Sequence, residues 1–389
     1  TTITVDDTKL NNILEQKGNN ATVTLPVSAG SDVVVGQLNG QTVKTMETKS
    51  AVLEIKTDTV TYILPAAQIN IDAVLGQIGE NVSLQDIIVS VKVAEPSADT
   101  VKIVEDTANQ GGYQIVVKPV QFEITCTSGD KTVQVSRFNG YVERTVAIPD
   151  GVDPSKITTG IVLNEDGTFR HVPTQIIMID GKYYAKINSL TNSVYSVIYN
   201  PVSFTDVATH WSKEAVNDMG SRMVVTGAGS GSYEPDRNMT RAEFATIMVR
   251  ALGLSANDSA SSFGDVRSAD WFRGYVNTAG AYGIITGYNS SRFGPQDTIT
   301  REQAMTMIAR AMKLTGLSAV PTDTEQVALL SAFSDSNQLS AYAKASAAAC
   351  LKTGIVTGKT ATAISPGTPV TRAEVAVMVR RLLQQSGLI

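Results

Sequence analysis

A threefold repeat in the second half of the chain constrains its fold more than any other feature. Each copy holds an aromatic residue, a glycine 16 residues later, and an arginine 14 residues after that glycine. A Phe-x-Asp triplet begins 7, 8 or 9 residues before the aromatic residue, and a proline lies six residues before the arginine. A period of this kind indicates repeated units that stack and bury a shared core.

The equivalent residues of the three copies are the aromatic side chains Trp211, Trp271 and Tyr342, the glycines Gly227, Gly287 and Gly358, the arginines Arg241, Arg301 and Arg372, and the aspartates Asp206, Asp265 and Asp335. We expect repeat 1 at 203–258, repeat 2 at 259–320 and repeat 3 at 321–389. Each repeat is predicted to fold as helix, loop and helix. The aromatic residue would lie on the first helix, and the glycine would end that helix in the left-handed conformation.

Each second helix is predicted to begin at a capping box, first at Thr240–Glu243 and again at Thr300–Gln303 and Thr371–Glu374. In this motif the threonine hydroxyl accepts from the third helical N–H, and the acid or amide side chain accepts from the cap N–H. The arginine at the first helical position takes no part in capping. A cation there opposes the helix dipole at a cost of about 0.3–1 kcal/mol. Its presence in all three copies predicts a function outside the helix, namely binding an anion.

Residues 1–202 are predicted to be a β-rich region with one or two sandwich-like units, split near 96–112. Alternating apolar runs predict a series of strands, one of them at Thr100–Val104. The turn residues Ser128–Asp130 and Asp180–Gly181 predict two hairpins. The chain is therefore expected to be multidomain, with a β-rich N-terminal region before a helical one.

Charge and length exclude several classes of protein. The net charge is −5, but residues 204–389 hold 17 basic against 15 acidic side chains, and the remainder holds 15 against 22. The basic residues alternate with acids and form no stripe, so we expect no nucleic-acid partner. No apolar run approaches the roughly 20 residues of a membrane span, so membrane insertion is not expected. Cys126 and Cys350 fit no metal or redox spacing.

Catalytic residues are not evident in the sequence. The two histidines, His171 and His210, have no metal or nucleophile partner nearby in sequence. Glu234, Asp236 and Glu243 could resemble a glycosidase carboxylate pair, but capping explains Glu243 and the others lie in a turn. We expect no catalysis, no cofactor and no metal. The sequence begins without methionine or a signal peptide, so we expect a processed piece of a longer protein.

The repeat closely resembles the S-layer homology family, whose signature appears here as Phe204–Val207, Trp211, Gly227 and Thr240–Glu243, over about residues 203–389. The resemblance implies an all-α, pseudo-threefold trimer of repeats around a central three-helix bundle. It also implies non-covalent binding of secondary cell wall polysaccharide in grooves between repeats, and hence an extracellular location in the wall or S-layer of a Gram-positive bacterium.

The same resemblance implies the residues that bind the glycan. The wall polysaccharide often carries pyruvate ketals, and a guanidinium pairs with a carboxylate through two hydrogen bonds. The arginine of the family motif carries over to Arg241, Arg301 and Arg372. The other candidate glycan-binding residues are Asp206, Asp265, Asp335, Trp211, Trp271, Tyr342, Gly227, Gly287, Tyr288 and Asn289.

Structural alternatives stand beside these roles. The arginines could form surface ion pairs with the Phe-x-Asp aspartates, and the aspartates could cap the first helices. The two tryptophans could stack on sugars or pack in the core, and the glycines could be purely structural. Repeat 3 departs most from the family, with Tyr342 in place of tryptophan and no glycine in the loop 359–363. We therefore expect two working grooves.

A weaker resemblance covers the β-rich region. Phe138–Asp150 and Asp180–Ser196 are similar to the segment that often precedes such triplets in surface proteins of Paenibacillus-like bacteria. An alternative function for the whole chain is a structural module that makes lattice contacts with other surface proteins and binds no glycan.

Overall fold

The computed structural model describes residues 1–27, 30–79, 81–164, 166–317 and 319–389. They form two compact units, unit 1 at Thr1–Asn200 and unit 2 at Pro201–Ile389.

Unit 1 is β-rich, as predicted. Its strands are β1 (Thr2–Thr4), β2 (Thr22–Pro26), β3 (Val33–Asn39), β4 (Val52–Lys56), β5 (Val60–Pro65), β6 (Ile88–Ala94), β7 (Gln114–Ser128), β8 (Lys131–Gln134), β9 (Arg137–Ala147), β10 (Thr159–Leu163), β11 (Phe169–Val172), β12 (Thr174–Ile179), β13 (Lys182–Thr191) and β14 (Val194–Tyr199). One sheet has the order β1-β3-β6-β7-β14-β10-β11, with β8 paired to β7. The other has the order β12-β13-β9-β5-β4-β2.

Both sheets contribute to one hydrophobic core, so the unit is sandwich-like. Val91 and Ile124 enter this core from the first sheet, and Leu53 and Ile187 enter it from the second. The two hairpin turns occur where the sequence indicates them. In one of them Asp180 has a positive φ of 49°, as a tight hairpin turn requires.

Four helices accompany the sheets in the described part of unit 1: α1 (Asp7–Lys17), α2 (Gly40–Thr48), α3 (Ile71–Ile78) and α4 (Ala98–Gly111). The strand predicted at Thr100–Val104 is wrong, because this segment lies inside α4. The Ser97 hydroxyl caps the helix by accepting from the N–H of Thr100, and Gly112 ends it in the left-handed conformation. These two end signals outweigh the β-branched residues between them.

Unit 1 also buries a guanidinium. Arg144 on β9 is fully buried and donates to the carbonyl oxygens of Val142 and Thr191, at 2.9 and 2.6 Å, and to Asn192 Oδ1 at 2.7 Å. Its guanidinium carbon lies 4.7–5.9 Å from the ring centroids of Tyr62, Phe122, Phe138 and Tyr195. Aromatic faces and carbonyl oxygens together replace the water that the cation loses.

Unit 2 is helical, as predicted. Its helices are α5 (Lys213–Ser221), α6 (Arg241–Ala251), α7 (Arg273–Ala281), α8 (Arg301–Leu314), α9 (Asp323–Ser331), α10 (Lys344–Lys352) and α11 (Arg372–Gln385). Helices α5, α7 and α10 are the first helices of the three repeats, and α6, α8 and α11 are the second. Helix α9 was not predicted, and it begins at a capping box of its own, formed by Thr322 and Glu325.

All three predicted capping boxes are present at the second helices. Thr240, Thr300 and Thr371 each accept from the third helical N–H, and the acid or amide at that third position accepts from the threonine N–H. The prediction that Gly227 and its equivalents end the first helices is wrong. Helix α5 ends at Ser221, and the left-handed residue after it is Met223.

Gly227 is required for a different reason. A Cβ atom there would lie 2.8 Å from the carbonyl oxygen of Ser232 and 2.9 Å from the Phe204 ring. At Gly287 a Cβ would lie 2.4 Å from the carbonyl oxygen of Asn289. These glycines therefore let the loop backbone fold tightly against itself.

The three repeats form a closed ring. Each first helix packs on the second helix of the preceding repeat: α7 on α6, α10 on α8, and α5 on α11. Helix α11 also contacts both α6 and α8. The backbone closes the same ring, since Met239 N–H donates to Val370, Val370 to Ile299, and Ile299 back to Met239, at 3.0, 3.1 and 3.0 Å. The arrangement is therefore pseudo-threefold.

No described helix of the chain is both long and apolar enough to cross a membrane.

Candidate functional site

The three repeat arginines lie where one repeat meets the next. Junction 1 comprises Arg241 and residues 286–303, junction 2 comprises Arg301 and residues 357–374, and junction 3 comprises Arg372 and residues 226–243. In every junction the arginine of one repeat reaches the loop and the capping box of the following repeat. At junction 3 the arginine belongs to repeat 3 and the loop that it reaches belongs to repeat 1.

The start of each second helix contributes to its junction. The first two N–H groups of a helix have no partner within it. At junction 1 these are Arg241 and Ala242, which donate to the carbonyl oxygens of Asp297 and Pro295 at 2.9 and 3.1 Å. The same pattern recurs in the other two repeats, where the acceptors are Thr368 with Pro366, and Arg237 with Pro235. The proline six residues before each arginine therefore belongs to the turn that receives the preceding helix.

In junction 1 the guanidinium is held by backbone oxygens and aromatic rings. Arg241 Nε donates to Phe293 O at 2.9 Å, and Nη2 donates to Thr286 O at 3.1 Å. Nη1 donates to Gln303 Oε1 at 3.4 Å. The guanidinium carbon lies 4.4 and 4.8 Å from the ring centroids of Tyr288 and Phe293. Burial lowers the pKa of this guanidinium, because its charge is taken out of water.

Junction 3 has the same backbone contacts as junction 1, but the carboxylate of Glu243 stands where junction 1 has the neutral amide of Gln303. Arg372 Nε donates to Tyr233 O at 2.8 Å and Nη2 to Thr226 O at 2.7 Å, with the Tyr233 ring 4.4 Å away. Its Nη1 lies 3.9 Å from Glu243, and Arg237 donates to the same carboxylate at 2.6 Å.

Junction 2 is the least complete of the three. Arg301 Nη2 donates to Thr357 O at 2.6 Å, and Nη1 lies 3.3 Å from Glu374. Its Nε is buried without a hydrogen-bond partner among the described residues. Ile364 stands where junctions 1 and 3 have Phe293 and Tyr233, so within the described ranges no aromatic ring faces this guanidinium.

All three junction arginines are buried: Arg241 is 3% exposed, Arg301 is 4% exposed and Arg372 is 7% exposed. The alternative that they form surface ion pairs with the Phe-x-Asp aspartates does not describe them. Their contacts hold neighbouring repeats together, and any ligand would meet these charges from the loop side.

The aspartates hold the loops that receive the arginines. Asp265 accepts from the N–H groups of Phe293 and Gly294 at 2.8 and 2.7 Å. Asp206 and Asp335 do the same for the equivalent loop residues. Burial alone would raise the pKa of Asp265, but the two N–H donors lower it. None of these carboxylates accepts a capping bond from its first helix, since α5, α7 and α10 have no side-chain cap.

The repeat aromatic residues are on the surface. Trp211, Trp271 and Tyr342 are 65%, 60% and 57% exposed, and each precedes its first helix. Core packing therefore does not explain the two tryptophans. An exposed aromatic face is the kind of surface that stacks on a sugar ring.

Tyr342 differs from the two tryptophans in its partner. Its hydroxyl donates to Glu302 at 3.1 Å, and Glu302 also accepts from the N–H and hydroxyl of Ser340. Burial and the Glu302 charge raise the pKa of Tyr342 to about 12. Because Glu302 belongs to junction 1, this contact brings the third repeat to that junction.

The predicted loop residues also lie at junction 1. Tyr288 is exposed above Arg241. Asn289 Oδ1 accepts from the N–H groups of Ser291 and Arg292, which fixes the turn after Gly287. The loop's other side lines an open pocket of about 640 Å³ in repeat 2 whose walls carry no charged side chain.

Among the described residues the hydroxyl groups that the two histidines contact are buried, and the candidate acids Glu234 and Glu243 are both paired with Arg237. His210 Nδ1 lies 2.7 Å from Ser212 Oγ, and Nε2 lies 3.4 Å from Asp236. Ser212 is buried, however, and cannot meet a substrate. His171 is buried against Thr159. In the described part of the chain, no three His, Cys, Asp or Glu residues are placed to hold a metal ion.

The family comparison agrees with this architecture. The model of the S-layer homology domain matches residues 203–245, 262–305 and 332–376. The chain therefore carries three S-layer homology domains, as the sequence resemblance indicated. These domains are non-catalytic anchors.

Among individual proteins, the chain is 25% identical to an amylopullulanase of Thermoanaerobacterium thermosulfurigenes, over 97% of this chain and 20% of that protein. It is 30% identical to exoglucanase XynX of Acetivibrio thermocellus, over 51% of this chain and 18% of that protein. It is 36% identical to a surface layer protein of Brevibacillus choshinensis, over 32% and 12%. The chain thus spans a fifth or less of these relatives.

The domains and the surface-layer relatives indicate a location at the surface of a Gram-positive bacterium and support anchoring to its cell wall.

Proposed function

We propose that unit 2 anchors the chain by binding an acidic secondary cell wall polysaccharide, with pyruvate ketal groups, at the junctions between repeats. The observation that carries this proposal is the pairing at junction 1 of a buried cation with exposed aromatic rings. Arg241 has no carboxylate within 4 Å among the described residues, and the exposed ring of Tyr288 lies over it at 4.4 Å, while Tyr342 is exposed at the same junction beside Glu302.

Two kinds of contact recognise the glycan: a charged contact with its carboxylate, and stacking and hydrogen bonds with its sugars. A junction guanidinium attracts the ketal carboxylate from beneath its loop, where low water access strengthens the attraction. The exposed rings of Trp211 and Trp271 stack on sugar faces, while loop amides and hydroxyls bind sugar hydroxyls. Arg241, Arg301 and Arg372 are already anchored by carbonyl oxygens, so little side-chain entropy is lost on binding.

Calorimetry tests this function directly. The chain is titrated with purified wall polysaccharide, before and after chemical removal of pyruvate. We expect binding to native polysaccharide, a large loss after depyruvylation, and weaker binding as salt concentration rises. Equal affinity for both polysaccharides would exclude carboxylate recognition. Concentration-dependent association without glycan would instead support the lattice module.

Two variants locate the binding surface. The Trp211→Ala/Trp271→Ala pair removes exposed rings and should weaken binding while leaving the unfolding midpoint nearly unchanged. Met178→Ala, which removes an exposed apolar side chain from β12 of unit 1, is the matched control. Unchanged binding by the tryptophan variant would remove stacking from the mechanism.

For unit 1 we propose a non-catalytic spacer role. The support is the burial of His171, the one histidine in the sequence of unit 1. Incubation of the chain with wall glycan should produce no new reducing ends. Turnover would identify a catalytic site and overturn the spacer role.

A further inference from the structure

We infer that Gln303 decides which junction accepts the anionic sugar: junction 1 binds the carboxylate, and junctions 2 and 3 are closed to it by the glutamates at the equivalent position. This inference rests on the proposed function and assigns its charged contact to one of three similar sites.

The three junctions place the same side-chain atom beside the same guanidinium nitrogen. Arg241 Nη1 lies 3.4 Å from the amide oxygen of Gln303. Arg301 Nη1 lies 3.3 Å from Glu374, and Arg372 Nη1 lies 3.9 Å from Glu243. The geometry is nearly conserved around the ring, whereas the charge is not.

At junctions 2 and 3 the protein supplies its own carboxylate. Glu243 is also bound by Arg237 at 2.6 Å, and Glu374 lies 3.6 Å from Lys359. A ligand carboxylate entering either junction would meet a fixed like charge. Such repulsion discriminates between sites more strongly than a missing contact does.

At junction 1 the Arg241 guanidinium keeps N–H donors available to a ligand. A guanidinium has five N–H donors, and the described residues engage three of those on Arg241, which leaves two. The nearby acids are already partnered: Asp297 with Arg292 at 3.2 Å, and Asp265 with two backbone N–H groups. Tyr288 and Phe293 hold the guanidinium between their rings and limit its motion.

Capping makes the inference testable without disturbing the fold. Gln303 and Glu243 complete the same capping box with the same backbone contacts. Gln303→Glu and Glu374→Gln therefore exchange charge at two equivalent positions while both helix starts keep their hydrogen bonds. Thermal unfolding of each variant verifies that the fold is retained.

The first experiment is calorimetry with pyruvylated wall polysaccharide fragments. We expect Gln303→Glu to lose affinity by about tenfold or more. Glu374→Gln should raise the number of bound acidic termini from one to two. Wild-type affinity in Gln303→Glu, or an unchanged number of sites in Glu374→Gln, would overturn the inference.

The second experiment separates this inference from the proposed function. Sodium lactate, compared with sodium chloride at equal ionic strength, is titrated while the arginine Nε–H signals are followed by NMR. We expect a carboxylate-dependent shift at Arg241 that Gln303→Glu abolishes. That shift without polysaccharide binding would refute the glycan function and leave the charge assignment intact. A shift only at Arg301 or Arg372, or none at all, would refute the assignment.

Discussion

Arg144 in unit 1 and Arg372 in unit 2 are both buried arginines that donate to carbonyl oxygens and lie against aromatic rings. They differ in what they connect. The hydrogen-bond partners of Arg144 belong to two strands of one sheet and to the turn that leads from that sheet to the other, and four rings enclose it. The partners of Arg372 lie about 140 residues away in the first repeat, at Thr226 and Tyr233. Burial of a guanidinium therefore does not by itself indicate a ligand; position at a repeated boundary below exposed loops does.

The largest loss of stability is expected on substitution of Arg144, the arginine that aromatic rings enclose most completely. Arg144→Ala leaves a cavity among four rings and three unpaired acceptors, so unit 1 should lose about 3–5 kcal/mol of unfolding free energy. Denaturant unfolding followed by near-UV circular dichroism measures this loss. Arg137→Ala on the same strand is the control and should change stability by less than about 0.5 kcal/mol. A loss below about 1 kcal/mol in Arg144→Ala would contradict the enclosed-cation interpretation.

Substitution of a junction arginine should lower the stability of unit 2 by an amount that depends on the number of contacts the arginine makes. Arg372→Ala removes two carbonyl contacts and a ring contact, so we expect unit 2 to lose about 2–4 kcal/mol. Arg301→Ala removes one carbonyl contact and no ring contact, so the expected loss is about 1–2 kcal/mol. Thermal unfolding of the helical signal compares the two. Equal losses would show that the ring and the second carbonyl contribute nothing.

The loops that receive the arginines depend on close backbone packing. Gly287→Ala would bring a Cβ within 2.4 Å of Asn289 O, and a shift of the loop should cost about 1–3 kcal/mol. Gly280→Ala is the matched control in the same repeat. It lies in helix α7 with nothing within 4 Å of its Cβ position, so alanine should stabilise by about 0.5–1 kcal/mol. Destabilisation of similar size in both variants would contradict this assignment.

The smallest expected effect is a loss of folding stability at low pH. The pKa values of Asp206, Asp265 and Asp335 are lower in the folded protein than in the unfolded chain. Their contribution is therefore complete above the unfolded pKa of about 3.9 and is lost as pH falls through the lower folded values. Thermal unfolding of Asp265→Asn should show a weaker decline below about pH 4 than the wild type. An identical decline would exclude Asp265 from the effect.

Local signals in the sequence predicted much of unit 2. The capping boxes and the helix–loop–helix order could be found because their determinants lie within a few residues of each other. The arginine environments could not, because the acceptors Phe293 O and Thr286 O belong to the next repeat. Spacing alone carries no information on which repeat an arginine faces. The unequal charge at Gln303 and Glu374 was visible in the sequence, but its meaning depended on that pairing.

Unit 1 was less predictable, for physical reasons. The β-branched run at Thr100–Val104 favours a strand by composition, yet the Ser97 cap and Gly112 make it helical. Arg144 was missed because three of its four aromatic neighbours come from other strands and no local pattern marks them. Its one sequence signal is an arginine on the strand face that Val142, Val146 and Ile148 share by alternation.

The triangle of N–H···O bonds among Met239, Ile299 and Val370 has a consequence for how such anchors can vary. Each repeat donates to one neighbour and accepts from the other, so a pair of repeats leaves an open donor and an open acceptor at the centre. A fourth repeat would find both groups already used. The count of three is therefore set by closure of the backbone, and a repeat whose own groove binds nothing is still needed by the other two.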